Sequence, residues 1–192
     1  MSEEHPILTA LREGQQVRER TLAALIPAIG QAAASLVDAL KNGRKVLVFG
    51  NGGSAAEAQH FSGELTGRYR AERVPLPAIA LTTDTSALTC IGNDYRYEDV
   101  FARQVVALAQ PGDVVVGITT SGRSANVVRG LEAALERGAV TIALTGEAGL
   151  QGLEANVVLA VPSSSTARVQ EEHLAIIHCW CDAIDAAFVS TE

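Results

Sequence analysis

Five short apolar runs, Lys45 to Phe49, Leu76 to Leu81, Asp113 to Ile118, Val140 to Leu144 and Val157 to Val161, limit most strongly what this chain can fold into. Their length and their Val and Ile content favour strands buried on both faces. The segments between them carry helical spacing: Ala55 to Tyr69, Ser86 to Ile91, Asp99 to Ala109, Ala125 to Arg137 and Thr166 to Phe188. Strands alternating with helices need crossover connections, and right-handed crossovers build a parallel sheet covered on both faces. The predicted class is α/β, a flavodoxin-like three-layer sandwich with a five-stranded parallel sheet, plus N-terminal helices.

Ahead of the first strand, Ile7 to Lys41 repeats apolar residues at spacings of three and four, among them Leu8, Leu11, Leu22, Leu25, Ile29, Leu36 and Leu40. Pro27 is expected to kink or divide this helix, and Lys41-Asn42-Gly43 to stop it. Its polar face mixes charges of both signs, which suits a helix used in oligomer packing better than one lying on a membrane. No apolar stretch reads as long and uninterrupted enough to span a bilayer. Met1 to Thr9, with Glu3, Glu4 and Pro6, lacks the basic start and apolar run of a signal peptide. With 192 residues and 47% hydrophobic content, one domain is expected. The formal charge of −7 leaves no broad footprint for nucleic acid, so an anionic ligand needs local recognition. Cys90, Cys179 and Cys181 form an odd set without zinc-site spacing, which favours reduced thiols and a cytoplasmic setting.

Two loops fit such local recognition. Val46 to Phe49 leads into Gly50-Asn51-Gly52-Gly53-Ser54 and then a helix of small residues. Glycine lets a ligand approach peptide N–H groups, and a helix start adds donors and positive dipole. Neither a Walker sequence nor a G-x-G-x-x-G fingerprint is present, so nucleotide binding has weak support. Ile118 leads similarly into Thr119-Thr120-Ser121-Gly122-Arg123-Ser124, where four hydroxyls accompany the glycine, a composition suited to a phosphate dianion. Either loop alone also reads as a tight turn with an Asn or Ser cap. In a flavodoxin-like order the first and third strands are neighbours, and both loops meet at the carboxyl edge.

Groups able to do chemistry follow. His60 and Glu64 share a face of the helix leaving the first loop. Gln170 and His178 lie roughly on one side of the C-terminal helix. A surface hydrogen bond and a satisfied core histidine are the plainer readings; a four-ligand zinc site is the sharper one if the two helices approach. Asp84 reads as a helix cap, and Asn93-Asp94 as a turn or as a holder of sugar hydroxyls.

In this order the residues resemble the sugar isomerase domain family, and most closely its phosphoheptose isomerases. The resemblance rests on Phe49 through His60 followed by Glu64, Leu76 through Asp84, Ile91-Gly92-Asn93-Asp94, Thr120-Ser121-Gly122 with Ser124, and Val169 through His173 with His178. It implies one domain over 1–192, with 1–42 a helical segment used in oligomer packing and 43–192 the α/β core and C-terminal helix. It further implies conversion of sedoheptulose 7-phosphate to a heptose 7-phosphate for bacterial heptose synthesis. Substrate contacts are implied from Asn51, Gly52, Gly53, Ser54, Glu64, Asn93, Asp94, Thr119, Thr120, Ser121, Ser124 and Gln170. One zinc per subunit is implied on His60, Glu64, Gln170 and His178, with Glu64 and His178 as the acid/base pair, in a homotetramer built as a dimer of dimers. Arg123, where Asn is frequent, and Ala167, where a polar or acidic residue is common, depart from the family pattern.

The same fold also serves a regulator that binds a replication initiator, and the chain's ending resembles that protein too. There Thr replaces Gly53 and the positions of Glu64 and His178 are not kept, which favours the enzyme. An isomerase of another sugar phosphate is the third reading.

Overall fold

The computed structural model describes residues 5–189; the expectations for Met1 to Glu4 and for the last three positions lie outside the described residues. The order of elements is α1 (Pro6–Lys41), β1 (Val46–Gly50), α2 (Gly53–Thr66), β2 (Ala78–Ala80), α3 (Thr85–Asp94), a 3-10 turn (Tyr97–Asp99), α4 (Ala102–Leu108), β3 (Val114–Thr119), α5 (Ala125–Glu136), β4 (Val140–Thr145), β5 (Val157–Ala160) and α6 (Thr166–Phe188). The five strands form one sheet in the order β2-β1-β3-β4-β5, every neighbouring pair parallel. This is the flavodoxin-like order. It sets β1 beside β3, with Val46 opposite Val114 and Gly50 opposite Ile118.

Alternation along the strands divides the core into two layers. Val46, Val48, Val114, Val116 and Ile118 pack with α1, α2 and α6, whereas Leu47, Phe49 and Val115 pack with α3, α4 and α5. Phe49 stacks on Phe101 with ring centroids 4.9 Å apart. On the opposite layer Trp180 is fully buried, and its indole N–H donates to the Ile29 carbonyl at 3.2 Å, tying α6 to α1. Truncating a tryptophan so placed costs about 3–5 kcal/mol.

Two expectations for α1 need correction. Pro27 does not divide the helix, which runs unbroken over 36 residues. Pro27 and Ala23, whose carbonyl the missing N–H would have engaged, are both exposed, so water can satisfy that oxygen. By length and composition α1 is also apolar enough to cross a bilayer, with a mean hydropathy of 1.5 over eighteen residues, contrary to the reading above. Within the fold it buries Val17, Thr21, Ala32, Leu36, Ala39 and Leu40 against its neighbours and leaves Ile7, Leu11, Leu22 and Ile26 exposed. Its ends follow local rules: Pro6 sits in the first turn, and Gly43, at φ +68°, ends it just beyond Asn42.

Candidate active site

At the carboxyl edge of the sheet β1 and β3 end side by side, and the helices that follow them leave on opposite faces. α2 buries Ala58, Phe61 and Leu65 in one layer; α5 buries Val127, Leu131 and Ala134 in the other. That divergence opens a crevice between the two loops, the place where doubly wound sheets hold ligands. Asn51 spans it. Its amide exchanges two hydrogen bonds with Asn126, Nδ2 donating at 2.9 Å and Oδ1 accepting at 2.8 Å, and Oδ1 also accepts from the Tyr97 hydroxyl at 3.2 Å. A cavity of about 170 Å³ lies between the loops, lined by Asn51, Ser54, Thr119, Thr120, Ser124, Thr166 and Gln170 among others. Gly53 stands against α6: a Cβ there would collide with the Gln170 amide, so a larger residue would have to displace that side chain from the glycine loop. The Ser54 and Ala55 N–H groups are already bonded to the Asn51 and Gly52 carbonyls, so the helix start offers fewer free donors than expected.

The second loop is organised by its own hydroxyls. Thr119 Oγ1 lies 2.9 Å from Ser124 Oγ and 3.4 Å from Ser121 Oγ, and Ser121 Oγ accepts the Arg123 N–H at 3.3 Å. Gly122 takes φ +69°, and a Cβ on it would strike the Gly149 carbonyl, which fixes the loop against the β4–β5 connection. Thr120, Ser121 and Arg123 also line an adjoining cavity of about 290 Å³ with Glu147, Ser163, Ser164 and Thr166. Its lining is rich in hydroxyl residues from two loops and carries one basic and one acidic residue, Arg123 and Glu147.

The helices do approach. His60 Nε2 on α2 lies 2.9 Å from His178 Nε2 on α6 and 3.3 Å from Glu64 Oε1. Of two neutral imidazoles meeting nitrogen to nitrogen, one must donate and the other accept. Tyr69 stacks on the His178 ring at 5.7 Å. Tyr69 is itself held by the segment after α2, where Arg73, with 1% of its side chain exposed, donates to Asp185 at 2.8 Å and to the Glu64 and Leu65 carbonyls that end α2. Asp185 also accepts the Arg70 and Ala71 N–H groups. Burial alone would raise its carboxyl, but the donors from Ala71, Arg73 and Arg70 outweigh it and hold the group below the usual range. For the Tyr69 phenol, desolvation and then the nearby Asp182 push the value up.

Not every predicted residue joins this group. Gln170 precedes His178 by about 12 Å of helix rise; its amide lies against Gly53, and it makes no hydrogen bond with His60, Glu64 or His178 among the described residues. No group of three or more His, Cys, Asp or Glu side chains is arranged to hold a metal ion among the described residues; His60 Nε2 contacts both Glu64 and His178. Asn93 and Asp94 close α3 and are exposed; Asn93 donates to Asp94 at 2.7 Å, and their side-chain bonds stay within the helix end. Asp84 caps α3 as expected, accepting the Ala87 N–H at 2.9 Å. Sequence reasoning missed Tyr69, Tyr97, Asn126 and Thr166. None of the four announced itself locally; Asn126, the second residue of the helix opened by the hydroxyl loop, is a polar side chain that the structure buries.

Fold and site together define a doubly wound α/β domain whose ligand loops meet between β1 and β3, beside a His–Glu–His group. A model of the SIS domain matches residues 11–146. The chain belongs to the SIS domain family and, within it, to the phosphoheptose isomerases. It is 55% identical over 167 residues to a phosphoheptose isomerase of Shewanella loihica, covering 84% of each chain, and 50% identical over 183 residues to that of Shewanella oneidensis, covering 93% of each. Among solved structures, the phosphoheptose isomerase of Neisseria gonorrhoeae superposes with a TM-score of 0.86 at 46% identity, over 94% of this chain and 97% of that one. The Francisella tularensis enzyme gives 0.88 at 42% identity, over 97% and 100%.

Proposed function

We propose that this chain is an aldose-ketose isomerase that converts sedoheptulose 7-phosphate to D-glycero-D-manno-heptose 7-phosphate for bacterial heptose synthesis, lipopolysaccharide or a related glycan. The observation that carries this reading is the meeting of His60 and Glu64 on α2 with His178 on α6 beside the two loops. Ketose and aldose interconvert when a base removes a proton from C1 while the C2 oxygen gains one, giving an enediol. Return of a proton to C2, with loss of the O1 proton, completes the aldose. Glu64 is assigned the carbon-bound proton and His178 the oxygens. Thr119, Thr120, Ser121 and Ser124 are assigned the phosphate; Asn51, Gly52, Gly53, Ser54 and Gln170 hold the sugar from the other wall. Asn93 and Asp94 extend that set on family grounds.

We assign one zinc per subunit to His60, Glu64, Gln170 and His178. Two imidazole nitrogens facing each other beside a carboxylate are chemically a zinc donor set. When bound, zinc supplies a Lewis acid for the substrate oxygens. Gln170, a neutral amide standing apart from the other three, is the member that substrate could displace.

Residues 1–192 are read as one SIS unit, with 1–42 serving oligomer packing. A cytoplasmic homotetramer, a dimer of dimers, fits the exposed Ile7, Leu11, Leu22 and Ile26 of a helix about 54 Å long. The regulator reading loses support from Gly53, since a threonine there would meet the Gln170 amide. Purified protein supplied with zinc and sedoheptulose 7-phosphate should form the aldose. Absence of turnover together with tight binding to a replication initiator would sink the proposal.

A further inference from the structure

Four acidic side chains are buried in the described fold: Glu57, Asp113, Glu172 and Asp185. Three have a strong cation at hand, Lys45 at 2.6 Å from Asp113, Arg18 at 2.8 Å from Glu172 and Arg73 at 2.8 Å from Asp185. Among the described residues Glu57 has only His173. The His173 ring is fully buried; its Nε2 lies 3.1 Å from the Thr145 carbonyl, and its Nδ1 lies 3.7 Å from Glu57 Oε2. Neither Nδ1 nor Oε2 has a hydrogen-bond partner among the described residues.

Proton counting limits what these groups can be. A carbonyl oxygen only accepts, so His173 Nε2 must carry hydrogen to bond Thr145. A neutral ring beside an ionised Glu57 would then turn the bare lone pair of Nδ1 toward a carboxylate oxygen, two acceptors facing each other in a buried site; a proton on Glu57 instead would need an O–H···N bond, for which 3.7 Å is too long. That arrangement is unfavourable twice over, through repulsion and through two unmet polar atoms. A ring protonated at both nitrogens donates to Thr145 and faces Glu57 as a cation.

The position of the pair gives it a task. Glu57 lies one turn after Gly53 on α2, and His173 one turn after Gln170 on α6. Thr145 ends β4 and leads into Gly146, whose N–H donates to the Thr120 carbonyl of the hydroxyl loop at 3.1 Å. We propose that His173 is an imidazolium paired with Glu57, and that the pair is a positioning element holding α2, α6 and the end of β4 together, so that the Gly53 loop, Gln170 and the His60–His178 contact stay in place. Neither residue touches substrate in this account.

The test uses the full chain with 15N-labelled histidine and the variants Glu57→Gln, Glu57→Leu and His173→Asn, the last assigning the signal. In the wild type at neutral pH both His173 nitrogens should show attached protons. In Glu57→Gln the side-chain amide can donate to a neutral Nδ1, so the ring should lose one proton while kcat stays within roughly threefold of wild type. Glu57→Leu should lower kcat by roughly tenfold or more with little change in KM, the scale typical of groups that orient others in a site. A wild-type His173 carrying one ring proton overturns the proposal, as does Glu57→Leu with wild-type kcat. The activity arm rests on the isomerase reading, whereas the nitrogen spectrum does not, so failure of one is distinguishable from failure of the other. Should Glu57→Leu not fold, the wild-type spectrum and Glu57→Gln still decide.

Discussion

His60 Nε2 and His178 Nε2 lie 2.9 Å apart although 118 positions separate the residues. The contact exists because α2 and α6 pack on the same face of the sheet, locked just beneath by Phe61 against Trp180 at 5.8 Å. It turns two unremarkable histidines into one chemical group with Glu64 at its edge.

That group leads to the first expectation. Glu64→Gln keeps the size and polarity of the side chain but removes the base, so kcat should fall by at least roughly a hundredfold while the melting temperature changes little. Steady-state kinetics alongside thermal unfolding checks this, and a variant with near wild-type kcat would remove Glu64 from its assigned role.

Gly53 tests the glycine loop. A Cβ here meets the Gln170 amide, so Gly53→Thr should displace the Gln170 side chain from the loop and lower kcat/KM by roughly tenfold or more, about 1.4 kcal/mol. The chain should stay folded, because the position is exposed and its clash is with one side chain.

Asp185 gives a pH dependence with a definite sign. Its carboxyl is held below the usual range by the Ala71, Arg73 and Arg70 donors, which outweigh burial. A depressed folded value means the stabilisation is fully present above the unfolded carboxylate value, about 3.9, and is lost as pH falls through the folded value. Urea unfolding from pH 6 downward should therefore show this contribution flat until about pH 4 and declining below it. Asp185→Asn should remove that decline and cost about 3–5 kcal/mol at pH 7, because Arg73, 1% exposed, loses its counter-charge.

The exposed apolar residues of α1 make the assembly testable. Leu22 and Ile26 are 52% and 53% exposed and one turn apart. If a second copy covers them, Leu22→Glu with Ile26→Glu should shift sedimentation from tetramer toward smaller species. An unchanged sedimentation coefficient would move the interface elsewhere.

Much of the architecture was legible in the sequence because the signals were local. Val46 to Phe49 and Val114 to Ile118 are unbroken apolar runs, and such runs are what strands buried on both faces require. Thr166 to Phe188 was legible end to end because a Ser-Thr start and a long apolar face mark it. Other boundaries moved for tertiary reasons. The run from Leu76 to Leu81 shrinks to Ala78–Ala80 because β2 is an edge strand paired only with β1. α2 ends at Thr66, before Tyr69, because Gly67 follows and Arg73 takes the Glu64 and Leu65 carbonyls. The two loops and the His60–Glu64 face could be read from spacing. Tyr69 over His178 and Asn126 on Asn51 could not, since each partner arrives from a distant segment and nothing near it in sequence announces the contact.

The most direct test of the central claim is turnover itself. Pure, zinc-loaded protein mixed with sedoheptulose 7-phosphate, with the aldose followed over time, should produce D-glycero-D-manno-heptose 7-phosphate catalytically, and Glu64→Gln under the same conditions should not. No aldose above the uncatalysed background from folded, zinc-loaded wild-type protein would contradict the account.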